Sequence, residues 1–287
     1  MDYIESKYFS YADPEDPILK KILIRSIEYI TGQPKLFKLY RSYQEKPENW
    51  KSFWDGCVNL LKLKINITDI DLDKIPATGP AIIVANHPFG VLDGLVLSWL
   101  VSQKRNDFKL LVHSLLLRAP ETKGNLLPID FTGDKKALLT NLDTRKKARK
   151  HISNGGCIII FPSGTVSTTL KFYQKKSKAY DCEWKKFTSR LIKQTDPEIV
   201  PINFPGTNSL AFQVFSHISP VLRSSLLFFE IKRRINSEVK LFIGDSFKYS
   251  KLGTDLSNDE LADMLRTKTY LLDQNYSSSP PYGLDPD

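Results

Sequence analysis

The chain has 287 residues, enough for one large α/β domain with helical additions or for two small domains. Hydrophobic residues make up 41% and charged residues 25%, which excludes a disordered chain, a collagen-like repeat and a disulfide scaffold. The three cysteines cannot all pair and form no CxxC motif, which favours a reducing compartment. A net charge of +9 favours an anionic partner, either a membrane surface, an acidic carrier protein, a phosphorylated cofactor or nucleic acid.

The sequence predicts no membrane-spanning helix and no secretory signal. Its longest uncharged stretches, residues 75–92 and 151–170, are interrupted by Gly, Pro and polar residues. Residues 1–10 are acidic and polar, without the apolar core that a signal peptide needs. We therefore expect a cytoplasmic protein that could work at a membrane face.

The first 67 residues predict a lead-in followed by basic amphipathic helices. Apolar residues recur at helical spacing in a first helix, which Thr31 and Gly32 end: Leu19, Ile22, Leu23, Ile27 and Ile30. A second helix carries a more aromatic stripe: Trp50, Phe53, Trp54, Cys57, Leu60 and Leu61. Residues 18–64 contain ten Lys or Arg and four acids. Such helices suit the interface of an anionic bilayer, and packing of the stripe on the main domain is an equal alternative.

From residue 68 to about residue 250, short apolar runs alternate with helical segments. The predicted strands are residues 81–85, 109–112, 157–161, 199–204 and 240–244, and the clearest helices are residues 94–102 and 134–151. This alternation predicts a layered α/β domain whose mixed, mostly parallel sheet is buried between helices. Residues 251–287 predict a C-terminal helix and a Ser/Pro-rich tail, disordered from Tyr276.

His87 is the histidine best placed for chemistry. It follows the strand of residues 81–85 and opens a helix, at the kind of junction where α/β sheets collect ligand sites. If the loop folds back, Asp93 accepts the Nδ1–H of His87, and Nε2 becomes a base for a hydroxyl or amine. The alternative is structural, with both side chains capping the helix. The other three histidines are expected to be packing or surface residues.

Four segments in order resemble the conserved blocks of the glycerophospholipid (PlsC-type) acyltransferases. They are residues 86–93 (NHPFGVLD), 123–130 (KGNLLPID), 161–167 (FPSGTVS) and 200–206 (VPINFPG). Further phrases at residues 27–32, 208–213 and 222–227 resemble a hemolysin-like bacterial branch, related to acyltransferases that complete ornithine- and glycine-type aminolipids. The resemblance spans roughly residues 20–250.

This resemblance implies transfer of a fatty acyl group from an acyl thioester, on acyl carrier protein or coenzyme A, to a lipid hydroxyl. His87 would take the hydroxyl proton, Asp93 would orient the imidazole, and backbone N–H groups near Gly164 or Gly90 are oxyanion candidates. Neither a metal nor a bound cofactor is implied. The expected partners are membrane lipids and the donor, without nucleic acid, on the cytoplasmic face of the inner membrane. The resemblance also implies substrate contacts at Asn86, Gly124, Phe161, Pro162, Ser163, Gly164, Thr165 and Pro201.

The chain departs from the family pattern in its blocks. Five residues separate His87 from Asp93 where four are usual, and residue 163 is Ser where Glu is usual. Val166 replaces an arginine that contacts acceptor phosphates, and the second block also lacks its usual arginine. We therefore expect an acceptor without a phosphomonoester, either a lyso-aminolipid or a lysophospholipid diester. Five basic residues could restore the missing charge: Lys135, Lys136, Arg145, Lys146 and Lys147.

Two alternatives to an acyltransferase stay open at this point. A thioesterase or lipid hydrolase would use His87 to activate water, and a membrane-perturbing protein would keep the fold without catalysis. The basic run of residues 145–150 could dock an acidic carrier protein or the phosphates of coenzyme A, or be a solvated helix face. Trp184 is expected to be a packing residue.

Overall fold

The computed structural model describes residues 10, 12, 15–113, 119–130, 135–171 and 178–285, with the backbone alone at 113 and 136. The α-helices are α1 (Ile18–Thr31), α2 (Gln33–Glu45), α3 (Phe53–Leu60), α4 (Asp69–Asp73), α5 (Val91–Ser102), α6 (Lys135–Ser153), α7 (Lys186–Thr195), α8 (Leu210–Ser216), α9 (Pro220–Ser225), α10 (Leu227–Arg233) and α11 (Asn258–Tyr270). The strands are β1 (Ala81–Ala85), β2 (Phe108–His113), β3 (Leu126–Ile129), β4 (Cys157–Ile160), β5 (Thr168–Thr169), β6 (Ala179–Tyr180), β7 (Glu198–Asn203) and β8 (Phe242–Ile243).

Six strands form one mixed, mostly parallel sheet in the order β3-β2-β4-β1-β7-β8. Parallel pairing runs from β3 to β7, and only the short edge strand β8 is antiparallel. The central strand β1 lies between β4 and β7, and all five of its residues are buried. A parallel strand covered on both faces needs an uninterrupted apolar run, which residues 81–85 supply. The predicted α/β class is confirmed.

The two faces of the sheet lead to two separate cores. Ile83 and Ile159 point into a core shared with α2, α3 and α5, whereas Ile82 and Ile158 point into a core shared with α6, α7 and α11. This division follows from the two-residue period of a strand, which sends neighbouring side chains to opposite faces. The N-terminal helices and the C-terminal helix therefore cover opposite sides of the same sheet.

The predicted boundary at residue 67 does not separate two packing units. Trp54 and Val58 of α3 and Leu36 of α2 belong to the same core as Ile83 of the central strand. Trp54 is only 6% exposed, so the aromatic stripe of α3 packs on the main domain and does not lie at a bilayer. The exposed apolar face belongs to α1 instead, with five side chains between 47% and 78% exposed: Ile18, Leu19, Ile22, Leu23 and Ile30.

The C-terminal segment is also packed, contrary to the expectation of a disordered tail from Tyr276. The buried guanidinium of Arg266 in α11 donates hydrogen bonds to the carbonyls of Pro280 and Pro281. Gly283 N–H donates to the Asp181 carbonyl over 2.9 Å. A Pro-rich segment gives no periodic signal of order, because its hydrogen bonds are made to single groups elsewhere in the sequence.

Within the described ranges, no helix combines the length and the apolar character that crossing a bilayer requires.

Candidate active site

The loop between β1 and α5 carries His87 and leads directly into the helical turn that holds Asp93. It comprises residues 86–90 and leaves the carboxyl end of the central parallel strand, where ligand sites of such sheets gather. Its last residue, Gly90, has φ +68°, and a Cβ there would lie 2.9 Å from Leu227 Cδ2. Glycine thus satisfies both the backbone conformation and the close approach of α10. We call residues 86–90 the catalytic loop.

His87 and Asp93 meet across the start of α5. Nδ1 of His87 lies 3.1 Å from Oδ2 of Asp93, and the same oxygen accepts the Phe89 N–H over 2.8 Å. Asp93 is fully buried while the His87 side chain is 17% exposed, so the pair has one inner and one outer member. The sixth position after His87 lies in the first helical turn, where the helix dipole favours a carboxylate. The longer spacing between them is therefore accommodated within one helical turn.

Burial dominates the electrostatics of this carboxyl group. Desolvation raises the pKa of Asp93, and hydrogen bonds from His87 and Phe89 oppose the rise. Oδ1 of Asp93 has no hydrogen-bond partner among the residues that the structure describes. Among the described residues, Asp93 therefore forms hydrogen bonds through Oδ2 alone, one with the imidazole of His87 and one with the backbone of the loop.

The exposed part of His87 lines a cavity of about 850 Å³. Its ring stacks on Phe161, with centroids 4.0 Å apart and an interplanar angle of 24°. One wall comes from α2 and α3 and is mainly apolar, with Leu36, Leu39, Tyr40, Tyr43, Phe53, Trp54, Cys57, Leu60 and Leu61. Four basic side chains from α6, α7 and the residue before α7 line another part: Arg145, Lys185, Lys186 and Arg190. The cavity can therefore accommodate a molecule with a long apolar portion and an anionic portion.

Residues 161–167, here called the third block, reach this cavity at four of the predicted substrate contacts. Phe161, Pro162, Gly164 and Thr165 all line it. The N–H of Gly164 donates to the Phe161 carbonyl over 3.0 Å, so this group is engaged in a turn and does not face an oxyanion. Gly90, which also lines the cavity, is the other sequence-based candidate for that role.

The other predicted substrate contacts do not line the cavity. Asn86 uses its side-chain amide to hold both the N–H and the carbonyl of Phe204, which ties β1 to the end of β7. Ser163 is fully buried and donates to the Thr165 carbonyl. Pro201 lies within β7 and faces Gly244, while Gly124 lies in the turn before β3. These four residues shape the scaffold of the site and do not face its interior.

Of the four residues expected to replace the missing arginine whose side chains the structure describes, only Arg145 lines the cavity. Lys147 pairs instead with Asp143 one turn earlier on α6, over 2.6 Å. Lys135 and Lys146 are exposed, and the side chain of Lys136 lies outside the described residues.

A residue that the motifs did not indicate, Arg223 of α9, lies against the third block. Its Nη2 donates to Thr165 Oγ1 over 2.8 Å and to the Val166 carbonyl, and the side chain lines the cavity while 5% exposed. A guanidinium therefore lies beside the position where the family pattern has an arginine and this chain has Val166. The phrase at residues 222–227 was the only sequence signal for it.

Asp181 is the second residue that sequence analysis missed. It is fully buried, and its Oδ1 accepts the His87 backbone N–H over 3.1 Å. Trp184, expected only to pack, also donates its Nε1–H to Asp181 Oδ2 over 2.8 Å. Asp181 stands 94 residues from His87, and no local pattern joins the two.

Comparison with known proteins shows similarity to acyltransferases. The family model described as Acyltransferase matches residues 66–204. A lyso-glycine lipid O-acyltransferase of Phocaeicola vulgatus is 26% identical over 206 residues, which cover 71% of this chain and 68% of that protein. A lyso-glycine lipid O-acyltransferase of Bacteroides thetaiotaomicron is 26% identical over 171 residues, which cover 59% and 58%.

A crystal structure of the 1-acyl-sn-glycerophosphate (LPA) acyltransferase PlsC from Thermotoga maritima aligns with 92% of this chain and 99% of its own, with 14% identity and a TM-score of 0.46. The range that matches the family model, residues 66–204, includes His87, Asp93 and the third block. Residues 66–204 therefore carry an acyltransferase domain, and this match together with the curated relatives supports an O-acyltransferase.

Proposed function

We propose that this enzyme transfers a fatty acyl group from an acyl thioester to the hydroxyl of a lyso-aminolipid. The observation that carries the proposal is His87, hydrogen-bonded to the buried Asp93, on the wall of a large and mainly apolar cavity. Two relatives named as lyso-glycine lipid O-acyltransferases support an aminolipid as the acceptor. An acyl chain supplies the apolar surface that the walls of α2 and α3 match.

In the proposed mechanism His87 acts first as a base and then as an acid. With Nδ1–H directed at Asp93, Nε2 takes the proton of the acceptor hydroxyl. At the same time the hydroxyl oxygen attacks the carbonyl carbon of the thioester. The tetrahedral intermediate then collapses, the C–S bond breaks, and the imidazolium returns its proton to the departing thiolate. The products are an ester and a thiol, so no acyl-enzyme is formed. Asp93 stabilises the imidazolium between the two proton transfers.

The acyl donor is proposed to be acyl carrier protein or coenzyme A, which share a phosphopantetheine arm. Arg145, Lys185, Lys186 and Arg190 bring positive charge to the cavity, and residues 145–150 continue that charge along α6. Carrier protein and coenzyme A both carry anionic groups at the end of this arm opposite the thioester, so positive charge at one part of the cavity suits either donor.

We propose that the protein works as a peripheral enzyme on the cytoplasmic face of the inner membrane. The exposed apolar side chains of α1 alternate with Lys20, Lys21 and Arg25, a composition that suits an anionic lipid surface. Such binding would let a lyso-lipid enter the cavity without leaving the bilayer.

The acceptor head group is proposed to be anionic but without a phosphomonoester. Absence of the family arginine at residue 166 argues against a phosphomonoester, and the guanidinium of Arg223 next to it argues for some negative charge. A free carboxylate, as on an amino-acid head group, carries one negative charge and matches one guanidinium in shape.

The test is an assay of purified enzyme with radiolabelled acyl carrier protein or acyl-coenzyme A and a panel of lyso-lipids. Replacement of His87 by Ala should lower transfer about 10²- to 10⁴-fold, the contribution of a positioned general base. His217→Ala is a matched control, because His217 bonds the Thr169 carbonyl away from the cavity wall and should leave the rate unchanged.

The same assay separates the alternatives. Label that appears as free fatty acid without any acceptor would indicate a hydrolase. Transfer that is equal in the wild type and in His87→Ala would refute the base mechanism, and preference for lysophosphatidic acid would refute the proposed head group.

A further inference from the structure

The main chain of His87 is held on both sides by two residues from elsewhere in the sequence, the side chain of Asp181 and the backbone of Ser167. Its N–H donates to Asp181 Oδ1 over 3.1 Å, and its carbonyl accepts the Ser167 N–H over 2.8 Å. Ser167 Oγ closes the arrangement by donating to the same Asp181 oxygen over 2.5 Å. Asp181 and Ser167 therefore fix the backbone of the residue whose imidazole Asp93 orients.

Asp181 makes these contacts as an acceptor of three hydrogen bonds. His87 N–H, Ser167 Oγ and Trp184 Nε1 all donate to its two oxygens, which favours the charged form. Complete burial acts in the opposite direction and raises the pKa of Asp181. Because a carboxylate accepts in every direction, the amide of asparagine cannot satisfy the same three donors.

The backbone of Asp181 is itself held by the C-terminal part of the chain. Its N–H donates to the Tyr270 hydroxyl over 2.8 Å, and its carbonyl accepts from Arg266 Nη2 over 3.1 Å and from Gly283 N–H over 2.9 Å. Gly283 fits closely, because a Cβ there would lie 2.0 Å from the Tyr180 carbonyl oxygen and 2.8 Å from Thr168 Oγ1. No side chain larger than hydrogen can occupy this position without moving the segment.

We propose that Asp181 is a positioning residue for acyl transfer, and that the segment around Gly283 supports the active site through it. The inference rests on the proposed function of His87. Asp93 fixes the imidazole ring, Asp181 fixes the backbone that carries the ring, and the C-terminal segment fixes Asp181. A change at Gly283 thus reaches His87 through two hydrogen-bonded steps.

The central variant is Asp181→Asn, which keeps the shape and removes the charge. Its kcat should fall about 10- to 100-fold, the loss expected for one charge-assisted hydrogen bond, with the KM of the donor within about twofold. Loss of a negative charge near the imidazole should also move the acid limb of the kcat profile to lower pH. A residue that only stabilised the fold would leave that limb in place.

The distal variant is Gly283→Ala, with Ser279→Ala as its control. Ser279 lies in the same segment, is exposed, and accepts a hydrogen bond from Thr267 Oγ1 over 3.0 Å, so its replacement should preserve kcat. Gly283→Ala should lower kcat in the same direction as Asp181→Asn. Thermal unfolding of all variants identifies any that are unfolded at the assay temperature.

Amide hydrogen exchange measures how firmly the catalytic loop is held, without any activity assay. Asp181→Asn and Gly283→Ala should accelerate exchange in residues 86–90 and leave β4 amides unchanged, which remains measurable if no acyl transfer is found. The proposal would be overturned if the catalytic loop of Asp181→Asn exchanged its amide hydrogens at the wild-type rate. A kcat and a pH profile equal to those of the wild type would overturn it as well. Accelerated exchange over the whole sheet would overturn it too, since it would indicate a general structural role.

Discussion

At the scale of the residue, Asp93 combines a favourable contact with an unfavourable location. Its Oδ2 serves His87 and Phe89, while its complete burial disfavours the charge that orients the imidazole. Active sites commonly retain such groups because catalysis needs the charge even though folding does not. Activity and stability should therefore respond in opposite directions when this carboxyl group is replaced.

Replacement of Asp93 by Asn should lower kcat about 10²- to 10⁴-fold, since the imidazole loses its orienting charge. Burial raises the folded-state pKa of Asp93 above an unfolded value of about 4, so the folded state binds this proton more tightly. Ionisation consequently removes stability as the pH rises from about 4 through the raised pKa. The Tm of Asp93→Asn relative to wild type should increase over that pH range in thermal unfolding scans. A Tm difference that shrinks with rising pH would contradict this sign.

Arg223 provides a second prediction at this scale. Replacing Arg223 by Gln should raise the KM for an acceptor with a free carboxylate about 10- to 100-fold and change the KM for its neutral amide about twofold at most. The control is Arg233→Gln, because Arg233 pairs with Glu230 away from the cavity wall. Steady-state kinetics with the matched acid and amide acceptors measures the difference. Equal losses with both acceptors would indicate that Arg223 only holds the third block in place.

The residues that sequence analysis could identify are those joined by short spacing. His87 and Asp93 lie within one loop and one helical turn, so their meeting follows from local geometry. Asp181 contacts His87 from 94 residues away along the chain. Arg223 contacts Thr165 from 58 residues away. Such contacts depend on the tertiary fold, and spacing along the sequence predicts neither of them.

At the scale of the element, α2 and α3 complete the cavity of the candidate active site. Their inward side chains form the apolar wall of the cavity and also part of the core against β1. The aromatic stripe of α3 suited a bilayer and a protein core equally well in the sequence, because amphipathicity does not specify what the apolar face contacts. The strands were more predictable, since a run such as residues 81–85 is apolar on both faces only when helices cover both.

Filling this wall should shorten the acyl chains that the enzyme accepts. Cys57 of α3 lines the cavity, and Cys57→Phe would add an aromatic ring to that space. The preference should move towards shorter donors, because each excluded CH₂ forfeits about 0.8 kcal/mol of burial. Competition among donors of graded chain length measures the shift. Asn59→Phe, on the exposed side of α3, is the control and should keep the wild-type preference.

At the scale of the whole molecule, the apolar surfaces have different surroundings. The face of α3 is covered by the sheet, whereas that of α1 is exposed and lies next to basic residues. α1 packs on α9 and α10, which place Arg223 and Leu227 at the cavity. The exposed face and the cavity therefore belong to neighbouring parts of one structure, as sideways entry of a lipid requires.

The last prediction concerns membrane binding by α1. Leu19→Gln combined with Ile22→Gln removes apolar surface without changing the net charge, and both side chains are more than half exposed. Burial of one such side chain is worth about 1.5–3 kcal/mol, so partitioning onto anionic vesicles should fall at least about tenfold. Higher salt should weaken wild-type binding further, because it screens the +9 charge. Co-sedimentation measures both effects.

The control is Leu138→Gln with Leu139→Gln on α6, whose side chains are also more than half exposed. This double variant should bind as the wild type does. Equal losses in both double variants would show that general apolar exposure, and not α1, determines binding. Transfer to a short, water-soluble acceptor should stay unchanged in the α1 variant, because none of its altered side chains lines the cavity.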